Sequence, residues 1–109
     1  MDPRVTLGPR WMWWRARAIT ARADGLAIER RRGVELVPWA ELDAVVDLDP
    51  VRLESRGRVI ARLDPDDDSV DALVAAVVLR AGLEWVEKGR RGRLPRMAVR
   101  ADVAAKLRD

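Results

Sequence analysis

Hydrophobic and polar residues alternate with a period of two through most of the chain up to Leu63, the mark of half-buried strands. A strand is expected from about Trp14 to Arg22. Ile19 and Thr20 are β-branched, and Asp24-Gly25 stands where a two-residue hairpin turn belongs. Leu26–Arg31 is the return strand, with Leu26 and Ile28 on one face and Ala27 and Glu29 on the other. Arg32-Gly33 turns the chain into Val34–Val37, a strand that Pro38 ends because it has no N–H for a ladder. Trp39 to Asp43 reads as a single helical turn or tight corner, and Val45–Leu48 as a further strand. After the break at Asp49-Pro50, Val51–Ser55 and Arg58–Leu63 form a second hairpin around Arg56-Gly57. Val51 and Leu53 face in and Arg52 and Glu54 face out, while Val59, Ala61 and Leu63 oppose Arg58, Ile60 and Arg62.

The period then changes. Val70, Leu73, Val74, Val77 and Val78 recur at helix spacing, behind Pro65, the run Asp66-Asp67-Asp68, and Ser69. Carboxylates and a hydroxyl at that point complement the free amides of a helix start. The helix ends at Gly82 or continues through Trp85. The stretch Gly89–Met97 has neither period, and a short amphipathic helix is expected from about Ala98 to Arg108, with Val99, Val103 and Leu107 on one face. The start of the chain is an arm or edge segment, and a seventh strand is available between Val5 and Trp14. These elements predict a mainly β, α+β fold: a curled antiparallel meander of six to seven strands closed by one C-terminal helix. Residues 1–13 are an arm or edge strand, 14–88 the domain, and 89–109 a basic tail with a short helix.

Composition limits the chemistry. The chain has 109 residues, room for one domain, and a hydrophobic fraction of 49%, enough for a core. It contains no Cys and no His, which removes disulfides, thiolate chemistry, the usual zinc sites and a histidine base. Carboxylate pairs such as Glu41 with Asp43, or Glu84 with Glu87, have the spacing of solvent-facing residues and no nucleophile beside them. No catalytic residue, metal site or cofactor is therefore assigned, and no small-molecule substrate is expected. Asp64, Asp66, Asp67 and Asp68 lack the alternation, central glycine and closing Glu of a calcium loop, and read as a helix start. With Arg at 19 positions, Lys at two, and neither Asn nor Gln, the composition points to a GC-rich genome.

Charge is uneven. Met1–Pro38 carries a net +4, Trp39–Asp71 a net −6, Ala72–Glu87 −1 and Lys88–Asp109 +6. The basic ends can neutralise the acidic middle, or hold an anionic partner. Arg30, Arg31 and Arg32 at a hairpin tip, with Arg90, Arg91, Arg93 and Arg96 in the tail, are the candidate anion-binding residues, since guanidinium forks match phosphate geometry. Trp11, Trp13 and Trp14 are the candidate partner-binding residues. On a strand they occupy both faces, so at least one is left for a contact. Trp39 and Trp85 are expected in the core. The apolar run Ala72–Leu79 is too short to span a bilayer, and the early arginines break any signal core, so a cytoplasmic location is expected.

Asp24-Gly25-Leu26, Gly33, Val37-Pro38-Trp39, Glu41-Leu42 and Val45-Val46 together resemble the small bacterial PH-like (pleckstrin-homology-like) domains. The similarity covers roughly Ala16 to Leu83. It implies a binding or assembly module with no shared catalytic site and no cofactor. Three features depart from the pattern: six strands are readable where seven are usual, the membrane spans that many bacterial relatives carry are not readable here, and the basic tail is extra. The phosphoinositide-binding loop signature is not matched. The expected function is a non-enzymatic interaction module, self-associating through the Trp-rich start or the C-terminal helix. Nucleic-acid association through the arginines, and membrane-surface attachment through the Trp-Arg start, are the alternatives.

Overall fold

The computed structural model describes residues 2–7, 16–87 and 95–108. Among these residues the chain forms β1 (Arg4–Thr6), β2 (Ala18–Ala21), β3 (Gly25–Arg30), β4 (Gly33–Pro38), a 3-10 turn (Trp39–Glu41), β5 (Leu42–Val46), β6 (Val51–Ser55), β7 (Arg58–Leu63), α1 (Asp68–Ala81), β8 (Glu84–Val86), β9 (Met97–Val99) and α2 (Ala101–Arg108). The fold is mainly β. One antiparallel sheet has the order β1-β2-β3-β4, the other β7-β6-β5-β9-β8. The mainly β, α+β class holds and both expected helices are present, but the strands divide into two open antiparallel sheets rather than one meander. The strand β9, from the segment expected as tail, enters between β5 and β8.

The principal core lies between the sheets and is built by the expected alternation. Ile19, Leu26, Ile28, Val45, Leu53 and Leu63 are fully buried and share it with Val70, Leu73 and Val77 of α1. Burying a side chain of this size is worth about 1.5–3 kcal/mol, so this cluster supplies most of the driving force. The α1 helix touches both sheets, packing on β1, β2, β5 and the 3-10 turn. A second, smaller cluster lies on the outer face of the five-stranded sheet, where Ala44, Val86 and Val99 meet Ala104 of α2, with Met97 and Leu107 at its edge.

The helix ends follow the sequence chemistry. Asp67 caps α1 by accepting from the Ser69 amide at 2.9 Å. Gly82 adopts φ 67°, its amide reaching Leu79 O and the Leu83 amide reaching Val78 O at 3.0 Å. That pairing stops the helix, and Trp85 falls in β8 rather than on a helical extension. The second helix starts at Ala101, so Val99 is a strand residue. Ala104 and Leu107 face the sheet while Val103 stays 39% exposed.

Two turns differ from the sequence reading. The first hairpin turns at Ala23-Asp24, with the Arg22 amide donating to Gly25 O, and Gly25 opens β3 opposite Pro38. Its glycine is required by close approach: a Cβ there would lie 2.5 Å from Val37 O. The next hairpin turns at Arg31-Arg32, and Gly33 opens β4. The third turn is at Arg56-Gly57 as expected, with φ 53° and 76°. A left-handed arginine is held there by tertiary contacts, its amide on Asp43 Oδ2 at 2.5 Å and its guanidinium on Glu41.

Candidate interaction surfaces

Most described arginines of the basic ends hold backbone or carboxylate oxygens within the fold. Arg80 of α1, outside those ends, does the same: it donates to Ala21 O at 2.5 Å and joins α1 to β2. Arg100 donates to the carbonyls of Trp39, Ala40 and Ala81, and Arg108 to Trp85 O at 2.9 Å. Arg96 lies 3.7 Å from the centroid of the Trp85 ring and pairs with Glu87 at 2.9 Å and Asp47 at 3.5 Å. Thus Arg96, expected as an anion ligand, is engaged by two acids and an aromatic face. Asp47 belongs to the acidic middle, which realises part of the internal neutralisation that the charge pattern suggests. Arg96, Trp85 and Asp47 border a pocket of about 260 Å³ floored by Val45, Val70 and Val74.

The other expected site residues are separated from it. Arg30 pairs with Glu35 at 3.1 Å on the β3–β4 hairpin, and Arg31 and Arg32 form its exposed tip. Arg30 of β3 and Arg96, which immediately precedes β9 of the other sheet, therefore have different acidic partners. Trp11, Trp13, Trp14, Arg90, Arg91 and Arg93 lie outside the described residues. Trp39 and Trp85 are half-buried rather than central. The Trp39 indole N–H donates to Arg22 O at 3.0 Å, fixing the corner against the first hairpin.

Two surfaces were not singled out from the sequence. The first is the edge strand β4, whose Val34 and Leu36 are 59% and 41% exposed. Glu29 O faces β2, where it accepts from the Arg17 amide, so Ile28 and Arg30 bond to β4. Their partners Glu35 and Gly33 bond inward, which leaves the N–H and C=O of Val34 and Leu36 pointing off the edge. Period-two alternation foretold which residues share a face, but not that β4 is a sheet margin.

The second surface is a groove of about 610 Å³ between α2 and the outer face of the five-stranded sheet. Its floor is Ala44, Val46, Met97 and Val99, and Val103 of α2 forms one wall. Arg52 stands at the other side, directly opposite Arg62 of β7. A bulge makes that pairing. Ser55 pairs with Arg58 and Glu54 with Val59, but Leu53 pairs with Ala61, one residue further along. The same shift turns Val59 toward the outer face and lets Ile60 pack on the core, reversing the expected roles of these two residues.

The hydroxyl and amide of Ser69 hold the Asp67 carboxyl below the usual carboxylate range, as suits a cap. Among the described residues no three acidic groups are placed to hold a metal ion, and no helix is long and apolar enough to cross a membrane. No family model, curated protein or solved structure matches this chain.

Proposed function

We propose that the protein is a non-enzymatic, PH-like interaction module that self-associates through the β4 edge. Seven strands followed by α1 are the element order that the PH-like resemblance implies, and β8, β9 and α2 are additions to it. The observation that carries self-association is the exposed apolar edge of β4. Open edges with exposed apolar side chains invite pairing, and here no Lys or Arg lies between Gly33 and Pro38 to discourage it. Two copies related by a two-fold axis pair antiparallel with Val34 opposite Leu36 of the other copy. All four apolar side chains then meet on one face. Glu35 meets its own copy on the other face, each already neutralised by Arg30. Pro38, with no N–H, limits the added ladder to this short stretch.

Light scattering after gel filtration at low and high salt tests this reading. The expected result is a dimer that persists at high salt, and a monomer for Leu36→Lys. A wild-type monomer at both salts, or a dimer undisturbed by Leu36→Lys, overturns it.

A further inference from the structure

We propose that the outer face of the five-stranded sheet docks a polypeptide segment that carries an acidic side chain beside apolar ones, its carboxylate held by Arg52 and Arg62. The site lies on the opposite sheet from the β4 edge and does not depend on self-association.

The proposal is carried by one row of residues. Val86, Met97, Val46, Arg52 and Arg62 stand side by side across β8, β9, β5, β6 and β7. Like charges directly opposite each other on paired strands disfavour folding. Here compensation is slight: Arg52 Nε meets Glu54 only as an ion pair at 4.0 Å, beyond hydrogen-bond distance, and among the described residues that buried Nε has no hydrogen-bond partner. Arg62 is exposed, and no ion pair or hydrogen bond engages it among the described residues. Two arginines facing each other across paired strands repel. A carboxylate seated over the pair offsets that repulsion.

The rest of the row selects what is attached to that carboxylate. Neighbouring strands lie about 4.8 Å apart, and alternate residues of an extended chain about 7 Å apart. A segment crossing the strands with an acid over Arg52 and Arg62 therefore sets the next side chain on that face over Val46 and the one after it near Met97. The floor there is apolar, and Val103 of α2 flanks it. Asp43, Glu54 and Asp102 line the same groove and repel further acids. A single acid followed by apolar groups fits this rim better than the repeating anions of a nucleic-acid backbone.

The test titrates the full-length protein, isotope-labelled, with a short end-blocked peptide of alanine and leucine containing one glutamate. Its glutamine counterpart and inorganic phosphate are titrated in parallel. The glutamate peptide is expected to shift both the Met97 methyl and the Arg52 Nε–H resonances. The glutamine peptide, and the glutamate peptide on the double variant Arg52→Gln/Arg62→Gln, are expected to bind about tenfold or more weakly. Phosphate is expected to move the arginine signals and leave Met97 in place. Equal binding of the two peptides, undiminished binding to the double variant, or a Met97 methyl that stays still at about 1 mM peptide overturns the proposal. The double variant removes a repulsion on the surface, so its thermal midpoint checks that the fold is intact.

Discussion

The Arg100 guanidinium donates to the carbonyl oxygen of Trp39 at 3.0 Å, and the same group reaches Ala40 O at 2.6 Å and Ala81 O at 3.0 Å. One side chain thereby ties the end of β9 to the 3-10 corner and to the last turn of α1. Helix-end carbonyls have no intrahelical donor, so Ala81 O needs such a partner. Arg100→Ala should lower stability by about 2–4 kcal/mol, because part-buried carbonyls lose a charged donor. Arg100→Lys should recover less than half, since an ammonium does not reproduce the planar fork. Urea unfolding with an unchanged slope would check this; a loss under about 0.5 kcal/mol would show that water replaces the contact.

Asp67 gives a pH-dependent signature. Its carboxyl is held low by Ser69 in the folded chain, so the stability it contributes is present above the unfolded value near 3.9 and is lost as pH falls through the folded value. Asp67→Ala should lower the thermal midpoint by a few degrees near neutral pH. The gap between wild type and this variant should narrow steadily below about pH 4. A gap that is constant from pH 7 down to pH 2 would contradict the capping role of the charge.

Arg62→Glu should stabilise the fold. It replaces a like-charge pair opposite Arg52 with an opposite-charge pair, a change worth about 0.2–1 kcal/mol on an exposed sheet face. The same variant should lose binding of the acidic peptide. A fall in thermal midpoint would mean that Arg62 makes a folding contact that the register does not reveal.

Gly25→Ala should be more damaging than an ordinary strand substitution. The added Cβ would meet the Val37 carbonyl at 2.5 Å and Pro38 Cα at 3.0 Å, both backbone atoms that cannot swing aside. A loss of about 1–3 kcal/mol is expected from overpacking, where alanine otherwise favours a strand over glycine. Denaturant midpoints for Gly25→Ala and wild type decide the point.

Much of the fold was legible because its signals are local. The strands β6 and β7 were read at their observed bounds, and Val70, Leu73 and Val77 lie on the buried face of α1 as their spacing required. The Asp67 start and the Gly82 stop follow from the chemistry of single residues. The short strands were harder to read. Met97–Val99 has too few residues to show a period, and it is a strand because β5 and β8 supply partners on both sides. The arginines carried the least information about role. Nothing in the order of residues distinguishes Arg100, which clamps three carbonyls, from Arg62, which engages none among the described residues.

By itself, then, the sequence determined a mainly β chain with one capped central helix, and the composition removed histidine and cysteine chemistry. Hydrophobic period and turn preference depend on neighbours a few positions away, so they can be read along the chain. Only the tertiary structure decided that there are two sheets, that β9 enters the second, and that β4 is an edge. It also decided that Arg52 faces Arg62. A regular hairpin from the Arg56-Gly57 turn would have set Arg52 opposite Ala61, and the bulge moved it by one residue. Pairing partner and register are set by contacts between residues distant in sequence, and a shift of one position exchanges the two faces of a strand.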